Sequence, residues 1–119
     1  MHFCPREQWE AAIAAGRYEG DTLSTVGFIH CSPPSLVHLP ANTLARGRTD
    51  LVLLEIDEAV LPEPPRYEPG DPADPDAPLF PHVYGPIPVP AVVAVHDFPP
   101  SADGTFALPP ALDRRVDRA

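Results

Sequence analysis

Lysine does not occur in this chain of 119 residues, and its eight basic residues, all arginines, stand against 17 acidic ones. The formal charge of −9 leaves no basic stripe that could follow a phosphate backbone, so nucleic acid is not an expected partner. One or two locally placed arginines could still meet a small anion. Cysteine is nearly absent. Cys4 and Cys31 match no zinc-binding spacing and are expected to be free, buried thiols in a reducing cytoplasm. No apolar run approaches the roughly 18 residues a spanning helix needs, so no membrane segment is expected. The opening residues lack the charged and apolar regions of a signal peptide. Gly-x-Ser-x-Gly, the P-loop and Gly-x-Gly-x-x-Gly are all missing, which removes the usual sequence support for a serine triad or a phosphate cradle. No internal repeat is visible.

Proline is what the chain has in excess: 19 residues, against a usual share of about 5%. Most follow Leu61, so the second half should be built from turns and extended pieces. The length fits one domain, expected over residues 1–110, with a frayed tail at 111–119. Residues 1–4 read as an opening strand. Pro5 suits a first helical position, and Trp9, Ala12 and Ile13 recur at helical spacing before the stop at Gly16, predicting a helix over 6–15. Residues 17–25 read as loop and 26–31 as a strand. Ser32 is a good N-cap for a helix that Pro40 should break near Leu39, with a second short helix ending at Gly47. Leu51-Val52-Leu53-Leu54-Glu55-Ile56 is apolar on both faces except at Glu55 and should be a central strand. Arg66-Tyr67-Glu68 reads as a short strand inside an acidic, proline-rich loop whose part at 69–78 looks mobile. Residues 91–98 read as a strand, and Asp103-Gly104 as a hairpin turn returning through 105–108. Helices segregated in the first half predict an α+β domain.

The chemistry concentrates in two stretches. Phe80-Pro81-His82-Val83-Tyr84-Gly85-Pro86-Ile87-Pro88 carries an imidazole and a phenol two residues apart, which share a face if the segment is extended. Its prolines fix φ, so it reads as a rigid lip. Gly27-Phe28-Ile29-His30-Cys31-Ser32 should form the opposite wall, with His30 and Ser32 at a strand-to-helix junction where ligands meet backbone N–H groups. Arg66 and Glu68 share a face at period two. His38 reads as a surface residue and His96 as structural. His2, Cys4, His30, Glu68 and His82 could converge on a metal, but no His-x-His or helical i, i+4 pair supports one, and no metal site is expected.

In that order these pieces resemble the bacterial family of domain of unknown function 952, with "GFIHCS" and "FPHVYGPIP" the most specific stretches. The resemblance implies a compact ADP-ribosyltransferase-like fold, in which two small sheets flank an NAD cleft. The order is also similar to the C-terminal half of RNA 2′-phosphotransferases, although those need a cationic surface. Carried over by position, it implies His2, Ser32 and Glu68 as the site triad. NAD would be the cofactor, with Arg66 at the diphosphate, Tyr84 on a ring and Glu68 on the ribose. The residues themselves leave a second reading open, a small-molecule enzyme with His30 and His82 as the acid–base pair. A third is a binding module whose lip meets a protein partner.

Overall fold

Leu51–Ile56 is the strand on which the other elements are assembled. The computed structural model describes residues 1–108, so the tail expected at 111–119 lies outside the described residues. The strands are β1 His2–Pro5, β2 Arg17–Tyr18, β3 Ile29–His30, β4 Leu51–Ile56, β5 Arg66–Pro69, β6 Leu79–Val83, β7 Ile87–Pro88 and β8 Val92–Asp97. The helices are α1 Arg6–Ala15, α2 Leu23–Val26 and α3 His38–Leu44, with single 3₁₀ turns at Glu58–Val60 and Val89–Ala91. All three α-helices precede β4, so the α+β expectation holds among the described residues.

β4 lies between β1 and β8, antiparallel to both. Its alternation sends side chains to two separate cores. Val52 and Leu54 pack with Trp9, Ala12, Tyr18, Ile29, Val83 and Ile87. Leu51 and Leu53 pack with Met1, Val37, Ala41, Phe98 and Phe106. A leucine removed from water in this way contributes roughly 1.5–3 kcal/mol, which is why the six-residue run reads so clearly as an interior strand. α1 follows from the sequence pattern, with Trp9 and Ala12 inward and Gly16 at φ 82 returning its N–H to Ala12 O. Ile13 is turned out and half exposed. Pro5 closes β1 and precedes the helix rather than opening it.

Several expectations give way where long-range pairing decides. The loop at 17–25 contains β2, which pairs with β7, and the short helix α2. Of the strand expected at 26–31 only Ile29–His30 remains. Val26 ends α2, Gly27 caps it at φ 88, and Pro81 accepts from Cys31 N–H at 3.0 Å without an N–H to return. Pro40 does not break a helix. It is the third residue of α3, where N–H groups have no intrahelical acceptor to lose. Ser32 therefore caps nothing: α3 starts six residues later, and the Ser32 backbone exchanges bonds with Met1, donating to Met1 O (2.7 Å) and accepting from the Met1 amine (2.8 Å). The proline-flanked lip is two strands, β6 in the middle of a sheet and β7 in a ribbon. Ser101–Gly104 does turn, but 105–108 form no strand. Asn42 holds them instead, donating to Phe106 O and accepting from Phe106 N–H. His38, expected on the surface, is half-buried at the start of α3. The strands fall into three sheets, ordered β1-β4-β8, β2-β7 and β3-β6-β5.

Candidate functional site

The sheet β3-β6-β5 sets the site by register alone. His82 on the middle strand lies opposite His30 on one side and Arg66 on the other, and Phe80 lies opposite Glu68. Side chains directly across a ladder share a face, so His30, His82, Phe80, Arg66 and Glu68 are all on one side. Ile29 and Val83, one step along, go to the core. The Cys31–Pro81 bond makes the His30–His82 pair the non-bonded, closer kind. The two imidazole centroids are 5.5 Å apart and nearly perpendicular.

Phe28 completes the group. Its ring stacks on His82 at 4.2 Å and 19°, meets the edge of His30 at 4.7 Å and lies 5.1 Å from Tyr84. The backbone carbonyl of Phe28 accepts from Thr22 Oγ1 at 2.7 Å, and Gly27 supplies the left-handed turn before it. Sequence reasoning misses Phe28, although its offset of two from His30 is the same signal that pairs His82 with Tyr84.

Glu68 joins His82 to Tyr84. Its Oε1 lies 3.0 Å from His82 Nδ1 and accepts from Tyr84 OH at 2.6 Å. The Tyr84 hydroxyl, then His82 and Arg66, hold the carboxyl below its usual range, and the same bond raises the Tyr84 phenol. An ionised carboxylate only accepts, so His82 donates from Nδ1 and, when neutral, keeps its lone pair on Nε2. Arg66 lies over the Tyr84 ring at 4.4 Å.

His2 is held on both nitrogens. Nδ1 lies 2.5 Å from the carbonyl of His30, which can only accept, so Nδ1 carries the proton. Nε2 then accepts from Tyr18 OH at 2.7 Å, and the 3.4 Å contact from that hydroxyl to Gln8 Oε1 is the weaker alternative. Burial lowers the His2 pKa to about 4, so the ring is neutral near pH 7. Burial and the neighbouring His82 lower His30 as well, and burial raises both thiols to about 11. Cys4 and Cys31 are therefore protonated, buried and unpaired by a disulfide. Tyr18 has no sequence signal, lying in a stretch that reads as polar loop.

A cavity of about 790 Å³ opens in front of this wall. His2, Ser32, His30 and His82 line it, together with Tyr18, Phe28 and Phe80. Glu68, Arg66 and Tyr84 are not among its lining residues: the first is reached through His82, and the other two stand beside it. Ser32 is buried. Among the described residues no group of three or more His, Cys, Asp or Glu side chains is placed to hold a metal ion, and no helix is long and apolar enough to cross a membrane.

Fold and cleft together define a small α+β domain with an imidazole-walled cavity between sheets. The chain belongs to the family described as protein of unknown function (DUF952), whose profile matches residues 3–95. It is similar to the crystal structure of protein CC0527 from Caulobacter crescentus, at 34% identity and a TM-score of 0.81, covering 93% of this chain and 95% of that one. The crystal structure of a double mutant of CC0527 gives 33% identity, a TM-score of 0.80 and the same coverage. The solution structure of CC0527 gives 34% identity, a TM-score of 0.72, and 87% and 86% coverage. No curated protein matches the chain.

Proposed function

We propose that this chain binds a small molecule bearing a flat ring and offers it acid–base chemistry at His82. The observation that carries this reading is the 3.0 Å contact from His82 Nδ1 to Glu68, with Phe28 stacked on the same imidazole at the cavity wall. A carboxylate behind one nitrogen orients the ring, fixes its tautomer and stabilises the imidazolium that forms when Nε2 takes a proton. His30, 5.5 Å away, is the second proton carrier. The cavity lies within the roughly 300–1,000 Å³ typical of small-molecule sites.

A nucleotide, with NAD or a relative as cofactor, is the second reading. What supports it is that two three-stranded sheets, β1-β4-β8 and β3-β6-β5, both contribute to the cavity and that His2 from β1 is among its lining residues. In that reading a base or nicotinamide ring would lie against Phe28 and His30, and the enzyme would be a transferase or glycohydrolase.

The test is a thermal-shift screen of heteroaromatic compounds, NAD included, at millimolar concentration, repeated on His82→Ala and Glu68→Gln. A compound that raises Tm by several degrees in the parent and not in His82→Ala supports the site. A turnover assay on that compound should then lose at least about 100-fold in kcat with His82→Ala, and less with Glu68→Gln. A screen in which no compound shifts Tm would overturn the reading.

A further inference from the structure

We infer that the ligand is uncharged where it meets the cavity and carries an apolar group, so that the site takes a neutral ring compound rather than a phosphate ester or diphosphate. This rests on the first reading above and narrows its ligand class. Among the described residues that line the cavity, the basic groups other than the two facing imidazoles, His30 and His82, are held by protein partners. Arg48, the one described arginine lining it, is paired twice with Asp50, through Nε (3.0 Å) and Nη2 (2.7 Å). The Met1 amine donates to Ser32 O and is pushed toward neutrality by burial. His2 has both nitrogens occupied and is neutral. Arg66 is not among the lining residues and lies over the Tyr84 ring. Asp21 adds a carboxylate to the wall, held by Gln8 Nε2 at 3.2 Å. A diphosphate entering here would lose its hydration and find no unpaired arginine on the lining, only the imidazole pair, which is costly in a partly buried site.

The lining also carries apolar surface. Leu39, Pro40, Leu44 and Pro72 face the cavity, and Leu44 is 76% exposed and Leu39 47%. Two leucines left in water at the rim of one cavity are surface that an apolar substituent would cover. Ring recognition by Phe28 and the imidazoles together with this apolar lining describes a neutral, amphiphilic ring compound.

The experiment uses matched probes: benzamide, 4-butylbenzamide, 4-butylbenzoate, adenosine and AMP, titrated by calorimetry and by the His30 and His82 ring resonances. Expected are binding of 4-butylbenzamide at the two histidines, about tenfold weaker binding of 4-butylbenzoate, and adenosine ahead of AMP. Benzamide should be at least tenfold weaker than its butyl derivative, and Leu44→Asp should erase that gain. If the benzoate or AMP binds as well as its neutral partner, the inference falls and the small-molecule reading stands. An unchanged butyl gain in Leu44→Asp removes the apolar rim from the inference. Should none of the five perturb the two histidines at several millimolar, both readings fall.

Discussion

His2 shows how little a residue's type says about its task. An imidazole at the second position reads as a ligand contact, yet the fold commits Nδ1 to the His30 carbonyl and Nε2 to Tyr18. Its ring lines the cavity and ties the first strand to the His30 backbone. Tyr18→Phe removes the donor and leaves Nε2 without its partner, and should cost about 1–3 kcal/mol in urea unfolding. The pH dependence has a definite sign. His2 falls from 6.5 to about 4 on folding, so the unfolded chain binds the extra proton between those values. Stability from this group is complete above pH 6.5 and is lost as pH falls toward 4. Lowered His30 adds in the same direction. Replacing His2 with Gln should flatten the slope of stability against pH in that window, measured by urea melts at half-unit steps. Glu68, also lowered, contributes stability above the ordinary carboxylate range that is lost at lower pH still.

At the scale of elements, two residues that both look like breakers behave differently because of where each element begins. Gly27 ends α2 at φ 88 and aims Phe28 at the cavity. A Cβ there meets nothing within 4 Å, so Gly27→Ala carries only the left-handed penalty, about 1–2 kcal/mol. Pro40 sits in the first turn of α3, so Pro40→Ala should change stability by less than about 1 kcal/mol, against the roughly 3 kcal/mol of an interior proline. Chemical denaturation of the two variants side by side checks the contrast. β6 makes the same point. Pro81 within it, with Pro86 and Pro88 after it, suggests a rigid lip, but pairing on both sides turns it into the middle strand that carries His82. Local proline chemistry is correct about stiffness and silent about neighbours.

Over the whole molecule, β4 divides two cores, and residues far apart in the chain close the second one. Phe106 is buried there against Phe98, with its backbone clamped by Asn42 at 3.0 and 2.7 Å. Asn42→Ala should destabilise by about 1–3 kcal/mol and abolish slow amide exchange at Phe106, read by hydrogen-exchange NMR. Unchanged protection at Phe106 would mean that apolar packing alone holds the segment. The run Leu51–Ile56, the period of Trp9 and Ala12 and the excess of late prolines were enough to determine an α+β domain around one central strand, because burial on both faces and helical spacing are written locally. The meeting of His30 with His82 was also legible as two polar-tipped extended stretches. What only the tertiary structure decided is which of their neighbours share the cavity: Phe28 and Tyr18 enter it, while Arg66 and Tyr84 stand beside it. Strand pairing brings these stretches together, and it arises from hydrogen bonds between residues far apart in the chain, which no local pattern records.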